Sequence, residues 1–167
     1  MKNFTFIMLF ALVMTTLNSC KKDGTGVFLF SLQDDVDLGA KVDAEIKSSG
    51  EFNILDRSSN AAAYSYLNTM RDQILEGGQV TFKDEFAWDL NIIDDDSTLN
   101  AFCTPGGYIY VYTGLIKYLD NSSSLAGVMG HEIAHADRRH SSKQMQQQYG
   151  ISILLSLLSS TAGENAE

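Results

Sequence analysis

The residues with the clearest chemical potential in this sequence are two histidines and a glutamate in the run His131-Glu132-Ile133-Ala134-His135. In a helix, His131 and His135 lie about 40° apart and one turn above each other, so both imidazoles can bind one Zn²⁺. Glu132 lies on the same side, where it can take a proton from an attacking water molecule without being a ligand. The spacing therefore predicts metal-dependent hydrolysis with one Zn²⁺ per chain; two solvated histidines on an ordinary helix are the alternative.

The residues around this run predict the helix that must hold it. Ser122-Ser123-Ser124 offers side-chain oxygens that can cap the start of a helix. The apolar residues that follow recur at helical spacing, among them Leu125, Val128, Met129 and Ile133. A helical setting favours the metal site over a chance match.

The rest of the pattern predicts an α+β fold, mainly helical with a small sheet. Apolar stripes ended by Gly or Ser predict helices, and runs rich in β-branched and aromatic residues predict strands. In chain order, the other predicted elements are a helix at Gln33–Ser48, a helix from about Asn60 to Gly77-Gly78, strands at Phe86–Ile93 and Tyr108–Tyr112, a short helix at Thr113–Leu119 and a last helix at Ser142–Ser160.

The start of the chain is predicted to be an export signal. A basic residue at position 2 precedes Phe4–Met14, an apolar run of the length that such signals have. It ends in Leu17-Asn18-Ser19-Cys20, which resembles a bacterial lipobox, with cleavage before Cys20 and acylation of its thiol. A transmembrane anchor is the alternative, but the run is short for about 30 Å of hydrocarbon. Residues 1–19 are thus predicted to be signal peptide, and residues 20–32 the lipidated cysteine and its tether.

The charge balance limits the partners of the chain. The formal net charge is −9, and removal of residues 1–19 takes away one basic and no acidic residue, which gives −10. Such a surface excludes nucleic acid as a partner and is repelled by anionic lipid. Membrane association is therefore expected through the acyl chains on Cys20. The predicted location is the bacterial cell envelope, facing the periplasm, with inner and outer membrane both open.

Three further features have mainly structural interpretations. With Cys20 lipidated, Cys103 has no disulfide partner and is predicted to be a small buried residue, a redox role being the alternative. The run Asp94-Asp95-Asp96 lacks the spacing of an EF-hand, so a solvated turn is favoured over calcium binding. The run Pro105-Gly106-Gly107 predicts a sharp turn whose backbone approaches another segment closely.

Several segments together resemble one family, the zinc metallopeptidases of the HtpX and CAAX prenyl endopeptidase type, in their secreted, lipid-anchored bacterial branch. Asp37-Leu38-Gly39 and the two first helices also fit that branch. The resemblance covers essentially all of the mature chain and is highly specific from Asn100 to His140. The matching blocks there are Asn100-Ala101-Phe102, Pro105-Gly106-Gly107-Tyr108-Ile109-Tyr110, Thr113-Gly114-Leu115, the stretch from Leu125 to His135 and Arg139-His140.

The resemblance implies a zinc-dependent endopeptidase with a zincin-like (gluzincin) domain. It implies that His131 and His135 bind zinc and that Glu132 is the general base. An edge strand of the sheet would flank the histidine helix, and extended substrate backbone would pair along it. This binding mode requires an unfolded or flexible polypeptide, and the resemblance implies that the substrates are unfolded or misfolded envelope proteins. The residues assigned to that edge are Gly107, Tyr108, Ile109 and Tyr110.

A third zinc ligand is the feature that the sequence does not supply. Catalytic zinc normally has three protein ligands, and in this family the third is a Glu in an E-x-x-A-D stretch on a later helix. No such stretch follows His140, and Glu164-Asn165-Ala166-Glu167 does not match it. Residues 33–167 are therefore predicted to be the N-terminal part of a peptidase domain, incomplete as they stand.

His140 is not predicted to be that ligand. On a continuous helix it lies nine residues after His131, about 180° around the axis, and so faces away. The Gly and His spacing of metzincins is also absent. A packing or hydrogen-bonding role is the interpretation that remains.

Two functional hypotheses follow. The first is a zinc metalloendopeptidase of the envelope; the second is a catalytically inactive, lipid-anchored module that binds peptide without cutting it. The apolar run Ile151–Leu158 is too short to span a bilayer. It is predicted to pack on the core or on a partner, and left uncovered it would favour self-association.

Overall fold

The computed structural model describes residues 30–146, which combine helices with one three-stranded sheet. This content confirms the predicted α+β class. The elements are α1 (Leu32–Ser49), α2 (Ala61–Leu75), β1 (Leu90–Ile93), β2 (Ala101–Thr104), a 3₁₀ turn (Pro105–Gly107), β3 (Tyr108–Tyr112), α3 (Thr113–Tyr118), α4 (Ser122–Asp137) and a helical stretch at 140–146.

Several predictions concern segments outside the described residues. These are the signal peptide, the lipidated cysteine with most of its tether, the apolar run and the last two glutamates: residues 1–19, Cys20, Ile151–Leu158, Glu164 and Glu167. Between residues 30 and 146, none of the helices combines the length and the hydropathy that crossing a membrane requires.

Local capping chemistry sets the ends of the main helices. Ser31 and Asp34 form a reciprocal capping box at the start of α1, and Gly50 ends that helix in the left-handed conformation. At the start of α4 the cap is Asn121, whose side-chain oxygen accepts a hydrogen bond from the Ser124 backbone N–H at 2.9 Å. The predicted serine cap is therefore wrong by one residue, and Ser122–Ser124 form the first turn instead.

The sheet places the strand predicted to be an edge at its centre. The order is β1-β3-β2, with β3 parallel to β1 and antiparallel to β2. An isolated bridge from Ile54 to Ile93 lies on the outer side of β1. Within residues 30–146, the outer edge of β2 is thus the one without a strand partner. The prediction failed because β2 has only four residues and runs into Pro-Gly-Gly, a pattern typical of a loop.

The strand predicted at Phe86–Ile93 is only half as long in the structure. Residues before Leu90 form a loop, in which Trp88 has a positive φ of 46° and its indole N–H donates to the Phe82 and Lys83 carbonyl oxygens. Phe86 and Trp88 are buried although they are in no strand. Their alternation reflects burial of aromatic rings rather than strand pairing.

The two faces of the sheet contact different helices. On one face, Ile109 and Val111 of β3 join the main core with residues of α2 and α4. On the other face, the Tyr110 hydroxyl donates to the Asp43 carboxylate of α1 at 2.7 Å. The helix that carries the histidines, α4, packs against the sheet at β2.

The close approach predicted for the Pro-Gly-Gly turn is to helix α1. A Cβ added at Gly39 would lie 2.0 Å from the Pro105 carbonyl oxygen. A Cβ added at Gly106, which has a φ of 72°, would lie 3.0 Å from the Asp35 carbonyl oxygen of α1, and Gly107, with φ of 85°, lies against Phe86 and Trp88. The helix segment around Gly39 and the Pro105-Gly106-Gly107 turn therefore pack against each other at backbone distance.

Replacing Gly39 by Ala is expected to lower the free energy of unfolding by about 1–3 kcal/mol or more, because the new methyl group overlaps a backbone carbonyl. Gly127→Ala in α4 is the matched control: nothing lies within 4 Å of the added Cβ. That control should gain roughly 0.5–1 kcal/mol from helix propensity. Urea unfolding measures both, and equal effects of the two changes would contradict the described packing of α1.

Candidate active site

Helix α4 displays the predicted site residues because its other side is held in the core. Leu125, Met129 and Ile133 are buried, whereas His131 is exposed and Glu132 and His135 are half-buried. The far end of the helix is fixed by Asp137, whose carboxylate accepts hydrogen bonds from the backbone N–H groups of residues 81 and 82 at 2.8 Å. The three predicted site residues therefore lie together on an anchored helix.

The two histidines converge as a metal pair would. The Nε2 atoms of His131 and His135 lie 2.9 Å apart. Two nitrogens on tetrahedral zinc lie roughly 3.3–3.4 Å apart, given bonds of about 2.0–2.1 Å, so an opening of about half an ångström would admit the ion. Among residues 30–146, no group of three His, Cys, Asp or Glu side chains is placed to hold a metal. The described residues thus provide two converging donors for zinc.

Glu132 has electrostatics that suit a base. Burial raises the pKa of its carboxyl above the ordinary value, against the opposing effect of His131 and His135. Cys103 of β2 lies near it: burial, and to a smaller extent the charge of Glu132, raise the pKa of the Cys103 thiol well above its usual range. Cys103 also packs against the core. Cys103 is half-buried rather than fully buried, and its contact with the core agrees with the predicted packing role. The raised pKa of its thiol does not favour a reactive thiolate.

His140 lies beside His135, contrary to the predicted orientation. Helix α4 ends at Asp137, and Arg139 has a positive φ of 56°, so the chain turns back. The Nδ1 atom of His140 then lies 3.0 Å from Nδ1 of His135. The assumption of a continuous helix was wrong. The contact is on the opposite ring edge of His135 from His131, which agrees with a hydrogen-bonding role. Burial, followed by the neighbouring His135, lowers the pKa of His140.

Sequence reasoning missed the residues that fix this turn. Asp35 of α1 is buried, and its carboxylate accepts from Arg139 Nε at 2.5 Å and from the Ser142 hydroxyl at 2.7 Å. The Arg139 guanidinium also donates to the carbonyl oxygens of Phe30 and Ser31. Arg139-His140 was a signal in the sequence, but nothing local to Asp35 indicated its partner 104 residues away.

The unpaired edge of β2 runs beside this helix. The Tyr112 N–H donates to the Asn100 carbonyl oxygen at 3.1 Å, and the antiparallel register pairs Phe102 with Tyr110. Because bonded and non-bonded pairs alternate in an antiparallel ladder, the N–H and C=O groups of Ala101 and Cys103 are directed away from β3. These are the groups that an added strand would meet.

The residues predicted to bind substrate are mostly inaccessible. Ile109 and Tyr110 are each 0% exposed, Gly107 is buried, and only Tyr108 is half-buried. Their backbone lies in the central strand, paired on both sides. The assignment of this strand as a substrate edge is therefore wrong, because β2 occupies the position expected for it.

The three consecutive aspartates form the predicted turn. Asp95 accepts hydrogen bonds from Ser97 and Thr98, and Asp96 pairs with Lys117. The Gly114 N–H donates to the Asp95 carbonyl oxygen at 3.0 Å, and a Cβ at Gly114 would meet the backbone of residues 96 and 98. The turn that follows β1 is therefore held against α3 by hydrogen bonds.

Comparison with known proteins identifies the family of the chain. The model of peptidase family M48 matches residues 61–167. The chain is 32% identical over 108 residues to the beta-barrel assembly-enhancing protease of Yersinia pestis, which is 59% of this chain and 21% of that protein. It is 42% identical over 57 residues to the protein of the same name from Escherichia coli K12, covering 34% and 12%.

The chain is also similar to a mitochondrial protein. The chain is 39% identical over 54 residues to the mitochondrial metalloendopeptidase OMA1 of Arabidopsis thaliana, covering 32% of this chain and 11% of that protein. The chain thus spans about a fifth or less of the length of these relatives. The family match, which takes in α2, the sheet and the whole histidine helix, confirms the resemblance: the chain belongs to peptidase family M48.

Proposed function

We propose that this chain carries part of the active site of a zinc-dependent endopeptidase, with His131 and His135 as zinc ligands and Glu132 as general base. The observation that supports this most is that the Nε2 atoms of the two histidines lie 2.9 Å apart, next to the half-buried Glu132 carboxylate. Their helix lies beside β2, whose outer edge has no strand partner among residues 30–146. The gluzincin arrangement implied by the resemblance is part of this proposal, as is a stoichiometry of one Zn²⁺ per chain.

The residues divide the chemistry between them. Zinc, when bound, would polarise the scissile carbonyl and lower the pKa of water. Glu132 takes the proton from the attacking water and passes it to the leaving amine. Its raised pKa brings it closer to neutrality, where a base is both deprotonated and strong. Since catalytic zinc normally has three protein ligands, the third is assigned to residues other than 30–146.

The substrate is proposed to bind as an added strand along β2. The outward backbone groups of Ala101 and Cys103 supply hydrogen bonds to any extended chain, whatever its side chains. A folded protein cannot offer such a strand without opening. This favours unfolded or misfolded polypeptides as the substrate class.

The location is proposed to be the bacterial cell envelope. Two relatives are named for enhancing the assembly of β-barrels, and residues 1–19 are predicted to be an export signal whose end at Cys20 resembles a lipobox. We propose a lipid anchor at Cys20 and a role in removing misfolded envelope proteins. Self-association through Ile151–Leu158 remains a prediction from the sequence.

A peptide-binding module without activity is the second candidate. It is favoured by one observation: across the described residues 30–146, no third His, Cys, Asp or Glu side chain is placed to hold a metal together with His131 and His135. Such a module would bind the same extended peptides along β2. It would do so without zinc and without turnover.

Cleavage of a reduced, permanently unfolded polypeptide tests the proposal. We expect turnover that stops with a zinc chelator and returns when stoichiometric Zn²⁺ is added. Stoichiometric binding of the polypeptide with no cleavage, with or without zinc, would contradict the peptidase and support the binding module.

Replacing Ala101 by Pro tests the role of the β2 edge. Proline removes one outward N–H, and edge strands tolerate it because that group is not in the ladder. Loss of one backbone hydrogen bond, worth about 0.5–1.5 kcal/mol, should raise KM by roughly 2–10-fold with little change in kcat. Ala101→Ser retains the N–H and is the control. An unchanged KM in the proline variant would show that substrate does not pair with β2.

A further inference from the structure

His135 is contacted at both of its ring nitrogens, by two different imidazoles. Its Nε2 faces Nε2 of His131 at 2.9 Å, and its Nδ1 faces Nδ1 of His140 at 3.0 Å. The His135 and His140 rings meet nearly edge to face, with centroids 4.8 Å apart and an interplanar angle of 80°. The ring of His135 is therefore constrained in both position and rotation.

The two contacts determine which nitrogen should carry the proton. A His135 that offers the Nε2 lone pair to a metal must carry its proton on Nδ1. That N–H points at Nδ1 of His140, so His140 must accept there and carry its own proton on Nε2. Metal-binding histidines generally donate their other N–H to an acceptor that fixes the tautomer. Here the acceptor is an imidazole rather than a carboxylate or carbonyl.

His140 reaches this position because its neighbours are tied to helix α1. Arg139 adopts the left-handed conformation, which a non-glycine residue adopts only where its surroundings hold it. Asp35 supplies that hold by accepting from Arg139 on one side of His140 and from Ser142 on the other. Both Asp35 and Ser142 are 1% exposed, whereas His140 is exposed. We name these three residues, Asp35, Arg139 and Ser142, the Asp35 clamp.

We propose that His140 is a positioning residue that fixes the Nδ1–H tautomer and the orientation of His135, and that the Asp35 clamp sets the position of His140. The effect on zinc binding rests on the proposed function. The hydrogen bond between the two imidazoles does not, so each can fail separately.

Imidazole ¹⁵N NMR of the metal-free chain at neutral pH is the first test. We expect His135 to be protonated on Nδ1 in the unmodified protein. His140→Phe should convert His135 to a mixture of tautomers, while His140→Gln, whose amide oxygen can accept, should retain Nδ1–H. A His135 tautomer that does not change in His140→Phe would overturn the proposal. Because His140 is exposed, these variants are expected to keep the fold.

A matched pair of aspartates on α1 tests the clamp. Asp35→Asn should disturb the His135 tautomer as His140→Phe does, whereas Asp43→Asn, which alters the buried bond to Tyr110 instead, should lower Tm without changing the tautomer. If Asp35→Asn does not fold, Ser142→Ala replaces it as the clamp variant, with the same expected change in the His135 tautomer. Equal tautomer shifts in the Asp35 and Asp43 variants would mean that the shift follows from a general loss of stability. That result would overturn the proposed role of the Asp35 clamp.

Zinc affinity, measured by competition with a chromophoric chelator, gives the second readout. His140→Phe should weaken zinc binding by roughly 10–100-fold, the usual effect of losing a partner of a metal-bound histidine. Asp35→Asn should have little further effect in the His140→Phe background. Additive losses would contradict a shared route through His140. If the unmodified chain binds no zinc, the proposed zinc site fails, while the NMR result still decides the role of His140.

Discussion

Glu132→Gln is expected to lower the kcat of polypeptide cleavage by roughly 10²–10⁴-fold, the usual contribution of a general base. Glutamine has the same shape as glutamate but cannot take a proton from water. Because Glu132 is not assigned as a ligand, the zinc content should stay the same. Turnover of an unfolded polypeptide and zinc content measured on the same sample check both statements.

The control for this prediction is Glu85→Gln, which removes an exposed carboxylate that is not part of α4. It should leave kcat unchanged. Because the net charge changes equally in both variants, this result would separate the loss of the base from a general effect of charge. Undiminished cleavage by the Glu132 variant would remove Glu132 from the mechanism. Loss of zinc together with activity would instead make Glu132 part of the metal site.

His135→Ala is expected to abolish stable zinc binding and, with it, turnover. The change removes one of the two converging Nε2 donors, so the loss in affinity should exceed the roughly 10–100-fold that follows from losing a partner outside the ligand set. Alanine favours helix, and His135 is only half-buried. Far-ultraviolet circular dichroism should therefore show an intact fold.

Ala134→Ser, at the neighbouring helical position, is the matched control, and it should retain zinc. Full zinc affinity in His135→Ala would mean that other residues hold the metal. The assignment of His135 as a zinc ligand would then be wrong, together with the proposed effect of His140 on zinc binding.

The helices were predictable because their determinants are local. Helical spacing of apolar residues and a nearby Gly or Ser located α1 and α2 within a residue or two of their observed bounds. The histidine pair was predictable for the same reason, since a spacing of four residues fixes neighbours on a helix wherever that helix packs.

The position of each strand in the sheet was not predictable from local pattern. The Tyr108–Tyr112 run indicated a strand, but its composition is the same for an edge or a central position. What decides is the pairing with β1 and β2, and β2 is too short to be recognised before its partner is known. The substrate edge was consequently assigned one strand away from the unpaired edge.

His140 shows a different limit. The prediction that it faces away from the histidine pair assumed that α4 continues, yet the helix ends at Asp137. The turn back depends on Asp35, which comes from the other end of the domain. No local signal contains that contact. Where a buried carboxylate connects distant segments, the chemistry of each residue can be read from the sequence, but the contact between them cannot.

Elemental analysis of zinc in the purified protein, with the unmodified chain and His135→Ala side by side, tests the central claim most directly. The account predicts about one zinc per chain in the unmodified protein and a loss of that zinc in the variant. The same zinc content in both proteins, or none in either, would contradict a zinc site at His131 and His135.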